Sequence, residues 1–300
     1  MSQSAAAPND PRGLRRCGEE RLAPEISVVP LRSPTLPPAT HTNCYLLGER
    51  ALTVVDPAAV RDADRGPLEV ALEARLASGA RVERVFLTHH HRDHIGSAAW
   101  VAERYQCPIV AHAESARRLP ELSISSLESE GLEIDGALWS ALWTPGHAPG
   151  HLCLINERSG DAVVGDMVAG VGTILIEPEE GDMAAYLESL RTLAALPLSR
   201  LLPAHGPPLS PAREALEGYI AHRLAREAKI FAALPSAPRE RIGLAELVEI
   251  AYADAPAAVR VGADGGLAGY AARAHLEKLR REGRASADGE GLWGRSSSAE

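Results

Sequence analysis

The stretch Thr88-His89-His90-His91-Arg92-Asp93-His94-Ile95-Gly96 constrains the fold more than any other part of this 300-residue chain. It follows Val82-Glu83-Arg84-Val85-Phe86-Leu87, an apolar run with β-branched residues that reads as a buried strand, and it precedes residues 96–104, which read as a helix. A strand that breaks into a loop and then a helix is where mixed α/β proteins place their chemistry. Four imidazoles and a carboxylate within six residues are donors suited to zinc and similar divalent ions. His89 and His91 are two apart, so in an extended segment their side chains point the same way. Asp93 and His94 follow where the chain turns, and there they can serve a second ion.

Upstream, residues 25–31, 43–47 and 51–56 read as strands, the last two joined at Gly48-Glu49-Arg50 and the third closing on an acid, Asp56. Residues 68–76 carry apolar side chains at helical spacing. Downstream, 109–111 reads as a short strand, and 127–142 contains strand-like pieces separated by Gly131 and Gly136. In Thr144-Pro145-Gly146-His147-Ala148-Pro149-Gly150-His151, a histidine held between glycines and prolines implies a tight loop of special backbone shape. His151 could face substrate, but a hydrogen-bonding role within the loop is the simpler reading. Residues 152–155 and 162–164 read as hairpin strands, the second leading into Gly165-Asp166. Residues 171–176 read as a further strand, 182–195 as an amphipathic helix, and 199–205 as a strand ending in His205. From Pro211 the character changes. Residues 212–234, 244–252 and 267–281 read as helices, followed by a turn at Asp288-Gly289-Glu290-Gly291 before Leu292-Trp293. Three helices and a two-stranded hairpin are the plan of a winged-helix module; a plain helical cap is the alternative.

Taken one at a time, these histidines would more often be core or loop residues than ligands. In order along the chain, however, His89-x-His91-x-Asp93-His94, Thr144-Pro145-Gly146-His147, Gly165-Asp166 and the strand-end His205 resemble the signature of the metallo-β-lactamase fold superfamily. The resemblance implies an α+β architecture: an αββα sandwich over 25–210, followed by a C-terminal helical, winged-helix-like domain over 211–300, with 1–24 as a disordered tail. It implies His89, His91 and His147 as one ligand set, Asp93, His94 and His205 as a second, and Asp166 between them. Two such ions about 3.5–4 Å apart can share a hydroxide, lower the pKa of the parent water and polarise the electrophile's oxygen. Asp93 is also placed to orient the hydroxide or shuttle a proton. Zinc is the default ion, and manganese or iron is compatible with the carboxylate in the second set. His41, His90, His112, His222 and His275 fall outside the pattern.

Three stretches look like the branch known as β-lactamase-like protein 2: Thr42-Asn43-Cys44-Tyr45-Leu46, the run from Gly165 to Thr173, and Tyr219-Ile220-Ala221-His222-Arg223-Leu224-Ala225-Arg226-Glu227. That branch includes a single-strand-preferring endoribonuclease and thioesterases that release polyketide acyl chains. The expected activity is therefore hydrolysis of a small ester or thioester, with single-stranded RNA as the alternative substrate. From another class, the winged-helix-like end could bind DNA while the metal domain senses.

Charge bears on that choice. The net charge is −9, yet residues 211–300 balance 13 basic against 13 acidic residues, so the acidity resides in the remainder. Arg273, Lys278, Arg280, Arg281 and Arg284 form a local basic cluster that could meet phosphates, or simply a solvated helix face balanced by Glu277 and Glu282. Aromatic residues are only 4% of the chain, so no base-stacking platform is evident. Four dispersed cysteines, no apolar signal segment and no long apolar run point to a cytoplasmic protein without a membrane span. They also tell against an exported antibiotic-degrading enzyme.

Overall fold

Short apolar runs with β-branched residues, such as Val28-Val29 and Thr53-Val54-Val55, form strands in the first half of the chain. In sequence order come β1 (Glu20–Ala23), β2 (Ile26–Arg32), β3 (His41–Leu47), β4 (Ala51–Val55), α1 (Gly66–Ala77), β5 (Arg81–Phe86), α2 (Arg92–Ile95), α3 (Ala98–Tyr105), β6 (Ile109–His112), α4 (Ala113–Arg118) and β7 (Ile124–Leu127). The computed structural model describes residues 18–237, 240–262 and 265–296. Among them the seven strands form one sheet in order β1 to β7. β1 to β4 pair antiparallel, joined by two short turns and, between β2 and β3, the loop 33–40, whereas β4 to β7 run parallel, with helices making the crossovers that parallel pairing requires. A second sheet follows, ordered β12-β11-β10-β9-β8, from β8 (Gly131–Ile134), β9 (Ala137–Trp143), β10 (Leu152–Asn156), β11 (Asp161–Gly165) and β12 (Arg200–Pro203). β10 and β11 are buried at every position, which is why they read as unbroken apolar runs instead of alternating ones.

These strands and α1 to α4 make up one compact unit, formed by the chain up to Trp143 together with Gly150–Thr173 and Pro197–Ala212. Its two cores lie on opposite faces of the first sheet. Leu46, Val54, Val85, Leu68, Leu72 and Val101 pack the sheet against α1 and α3, while Tyr45, Val55, Phe86, Trp139, Leu154 and Val163 pack it against the second sheet. The sheets are also stitched near β12. The Asn43 amide N–H donates to the Ala204 carbonyl (2.7 Å), its side-chain amide donates to the carbonyls of Pro203 (2.9 Å) and Gly206 (2.8 Å), and the Tyr45 hydroxyl donates to Pro203 (2.8 Å).

The second unit contains Thr144–Pro149, Ile174–Leu196 and the chain from Arg213 onward. It holds α5 (Met183–Ala195), α6 (Ala212–Ala233), α7 (Leu244–Ala251), α8 (Gly266–Arg281) and a two-stranded wing, β13 (Ala285–Ala287) with β14 (Trp293–Arg295). Asp182 caps α5 by accepting from the amides of Ala184 (2.8 Å) and Ala185 (3.1 Å). Ile230, Leu247, Val248, Leu276, Leu279 and Trp293 form the core of the helix-and-wing module, which is the winged-helix plan and not a plain cap.

Three expectations are corrected. The irregular tail does not extend to Pro24, because Glu20–Ala23 pairs with β2 through Glu20↔Val28 and Arg21↔Ser27; residues 1–17 of that tail lie outside the described residues. Residues 171–176 form no strand: the Leu175 carbonyl accepts from a side chain, His147, and not from a neighbouring strand. Gly131, expected to separate strands, begins β8.

Candidate metal centre

Because β4 and β5 are parallel and pair Val55 with Phe86, the residues that leave them, Asp56 and Thr88, emerge side by side. Asp56 turns with φ +49° and is 2% exposed. Its Oδ1 accepts from the Thr88 amide (2.8 Å), and its Oδ2 accepts from the Thr88 hydroxyl (2.7 Å) and from His94 Nδ1 (2.8 Å). In the sequence Asp56 is an acid closing a strand, with nothing beside it to suggest a role. Its signal is the same as that of Asp166, an acid at the end of an apolar strand.

Proton counting then fixes two tautomers. A carboxylate only accepts, so His94 carries a proton on Nδ1, and Nε2 is the nitrogen left to meet an ion. The single Thr88 hydroxyl proton goes to Asp56, so Thr88 Oγ1 accepts from His89 Nδ1 (3.0 Å), and His89 also presents Nε2. That Nε2 lies 3.0 Å from Nδ1 of half-buried His91. Hydrogen bonds of this kind behind metal-binding imidazoles select the ligating nitrogen and hold the ring.

Asp166 and His205 reach the same corner from the ends of β11 and β12. Gly165, at φ +46°, allows the close approach: a Cβ there would sit 2.6 Å from His151 Nε2 and 2.9 Å from Thr88 Oγ1. His151 Nε2 accepts from the Asp166 amide (3.1 Å), so His151 is a loop-bonding residue that holds the aspartate's backbone. His205 Nδ1 donates to the His41 carbonyl (3.1 Å), which turns Nε2 toward Asp166 Oδ1 (3.4 Å) and Asp93 Oδ2 (3.6 Å); the Thr35 hydroxyl stands 3.3 Å away. Ligand atoms of Asp93, His94 and His205 lie within 4.8 Å of one another, and so do those of His89, His94 and Asp166. The expected second set is thus brought together, with Asp166 within reach of His89 from the first set and of both His94 and His205 from the second. His147 belongs to the other unit. There Gly146, at φ +133°, lies so close to Tyr186 that a Cβ would meet its backbone nitrogen at 2.2 Å, and His147 Nδ1 donates to the Leu175 carbonyl (2.8 Å), again leaving Nε2 as the lone-pair nitrogen.

Burial works against a charged His94, but Asp56, Asp166 and Asp93 outweigh it and push its pKa well above the usual imidazole value. His205 follows the same pattern: burial lowers its pKa, and Asp166 raises it by more. Burial alone would raise the Asp166 pKa, yet His205 and His94 hold it well below the ordinary carboxylate range. A site that draws protons onto imidazoles in this way attracts any cation. His94 Nε2 is fully buried and has no hydrogen-bond partner among the described residues, while an ion there would meet nitrogen and carboxylate oxygen donors of suitable type. The residues fit a divalent metal.

Comparison with known proteins agrees with this geometry. Residues 37–205 match the family model of the metallo-beta-lactamase superfamily, and residues 244–293 match that of the beta-lactamase associated winged helix domain. The chain is 29% identical over 240 residues to a beta-lactamase-like protein 2 homolog of Caenorhabditis elegans, covering 74% of each chain. It is 27% identical over 221 residues to an atrochrysone carboxyl ACP thioesterase of Passalora fulva, covering 72% of this chain and 64% of that one. Among solved structures, a metallo-beta-lactamase family protein of Thermus thermophilus superposes with a TM-score of 0.75 at 26% identity, covering 92% of this chain and all of that one.

Proposed function

This chain belongs to the metallo-beta-lactamase superfamily, and on that premise we propose that it is a dinuclear metal-dependent hydrolase of a small ester or thioester. The observation that carries the reading is the convergence of His89, Asp93, His94, Asp166 and His205 around a buried imidazole nitrogen that has no hydrogen-bond partner among the described residues. His89, His91 and His147 would hold one ion, Asp93, His94 and His205 the other, with Asp166 shared. When bound, the ions supply Lewis acidity and a nucleophilic water at neutral pH.

The chain's own residues do the rest. Asp56 and Thr88 fix the tautomers of His94 and His89, and the His41 carbonyl does the same for His205. Half-buried Asp93 orients the attacking water and takes its proton. Addition of that water to the carbonyl carbon breaks the C–S or C–O bond, and the leaving thiol or alcohol departs with the proton.

The winged-helix module supports a small substrate over a nucleic acid. Its basic cluster is neutralised within its own unit: Arg273 pairs with Glu179 (3.1 Å), Lys278 with Glu227 (2.9 Å), Arg280 with Glu277 (2.8 Å), Arg281 with Asp182, and Arg284 with Glu282 (3.3 Å). Among the described residues no helix is long and apolar enough to cross a membrane, and Cys44, Cys107 and Cys153 are free thiols.

The test is metal content measured together with turnover of a thioester panel and a labelled single-stranded RNA, with Asp93→Ala as control. About two ions per chain, and thioester cleavage lost in Asp93→Ala, are expected. RNA cleavage lost in the same variant would reassign the substrate, and a protein that binds no metal would refute the mechanism.

A further inference from the structure

A cavity of about 400 Å³ within the first unit is lined by Arg32, Ser33 and Pro34 from the end of β2, by Val60, Arg61 and Asp64 from the segment after β4, and by Arg92. Three arginines and one aspartate thus line it. Asp64 is taken by Arg61, which grips it through Nε (2.6 Å) and Nη2 (3.1 Å). Arg32 and Arg92 have no ion-pair or hydrogen-bond partner among the described residues, although they lie in the part of the chain before residue 211, which carries the whole excess of acid. On α8, by contrast, each basic residue named above is matched by a carboxylate. Exposed arginines left unmatched around a cavity in an acidic domain set up a local positive potential that the net charge conceals.

The cavity adjoins the ligand cluster along the chain and through contacts. Arg92 lies between His91 and Asp93. Pro34 precedes Thr35, whose hydroxyl stands 3.3 Å from His205 Nε2. Arg32 pairs across the sheet with His41, whose carbonyl anchors His205, and the charges of Arg32 and Asp64 both act on the His41 ring. Two guanidinium forks beside a cluster that would hold the reacting carbonyl are suited to a planar or tetrahedral oxyanion.

We infer that this cavity is an anion subsite. It would bind a carboxylate or phosphate that the substrate carries away from the scissile bond, so that the hydrolase prefers acidic thioesters to neutral ones. The inference rests on the hydrolase reading above, and it concerns residues outside the proposed ligand set. The shared chemistry leaves two sources for the anion: a carboxylate on the acyl chain, or phosphate on the thiol carrier.

The experiment takes the metal-loaded full chain and measures kcat/KM for three thioesters: butyryl-N-acetylcysteamine, glutaryl-N-acetylcysteamine and butyryl-coenzyme A. The preference of each anionic substrate over the neutral one is compared between wild type, Arg32→Gln and Arg92→Gln; using a ratio within each variant cancels any general loss of activity. One preference should fall about tenfold in each variant, roughly the worth of one well-formed arginine–oxyanion pair, and the substrate affected identifies the source. Isothermal titration with glutarate and with inorganic phosphate supplies a readout independent of turnover, with one of the two binding about tenfold more weakly to Arg32→Gln. If thioesters are cleaved with preferences that neither substitution changes, and both probes bind wild type and Arg32→Gln equally, the subsite is wrong. If no thioester is cleaved but the arginine-dependent binding of a probe is present, the substrate reading fails and the subsite stands.

Discussion

Asp56→Asn is the most informative single change, because it preserves size while reversing hydrogen-bond polarity at one atom. The Thr88 amide N–H can only donate, so the asparagine must keep its oxygen at the Oδ1 position, 2.8 Å from that amide. The new NH2 therefore replaces Oδ2, which now accepts from the Thr88 hydroxyl and from His94 Nδ1. Facing a donor, His94 must give up its Nδ1 proton and carry one on Nε2. The Thr88 hydroxyl, losing its acceptor, turns its own proton toward His89 Nδ1, so the His89 proton also moves to Nε2. Both imidazoles would then present N–H where a lone pair is needed. Loss of such an outer hydrogen bond costs about 10–100-fold in metal affinity, or about 1.4–2.7 kcal/mol; two reversed rings place the expectation at the upper end. Titration of the metal-free variant with zinc against a chromophoric chelator reads the affinity, and nitrogen NMR of the imidazoles reads the tautomers. Wild-type zinc affinity in a folded Asp56→Asn protein would refute the argument. Asp56→Ala should instead lose overall stability by about 3–5 kcal/mol, since it strands the buried donors that the carboxylate holds.

Four further outcomes are expected. Stripping divalent ions with a chelator should lower Tm and restoring them should reverse this, each site contributing about 2.7 kcal/mol at a free ion concentration 100 times its Kd; an unchanged Tm would argue against native-state binding. Gly146→Ala should destabilise by at least about 2 kcal/mol in urea titration, because its Cβ would meet the Tyr186 backbone at 2.2 Å in a left-handed conformation. Asn43→Ala removes the two side-chain hydrogen bonds to the Pro203 and Gly206 carbonyls, about 1 kcal/mol each, and keeps the main-chain bond to Ala204; denaturant titration should show a loss near the sum of the two. Burial raises the Asp182 pKa, but the Ala185 amide, Arg281 and the Ala184 amide outweigh it and hold the carboxyl below its ordinary value. A lowered folded pKa gives stability that is present above the unfolded value of about 3.9 and is lost as pH falls through the folded one; acid melting below about pH 4 should therefore weaken wild type more steeply than Asp182→Asn.

The ligand-bearing loops were legible because the sequence states them locally: a strand, then donors, then a helix or turn. The winged helix was legible from three helical periods and a terminal turn. What escaped depends on partners distant in sequence. Asp56 becomes a positioning residue only because β4 lies parallel to β5, and the acid at its strand end does not encode that neighbour. His151 bonds to Asp166 across a hairpin whose register is set by burial on both faces. Residues 171–176 have strand composition, but the Leu175 carbonyl is taken by the distant His147 side chain and the segment pairs with no strand. α4 is six residues long, and β1 is a short edge; neither carries enough period to be seen.

The stitching of β3 to β12 spans about 160 positions of chain, from Asn43 to Pro203. During synthesis the chain has presented His89, His91, Asp93, His94 and Asp166 well before His205 is made. The interval is roughly forty residues, several seconds at about 5–20 residues per second. Throughout it β11 has a bare edge, because β12 is its parallel partner. Bare, apolar edges are where nascent chains adhere to one another. The final strand therefore does two things at once: it seals the sheet against self-association, and it delivers the last histidine. In the proposed assignment the ion held by Asp93, His94 and His205 would wait for that strand, and a chain stalled or cut between 166 and 200 would have a bare sheet edge and lack one donor of that set.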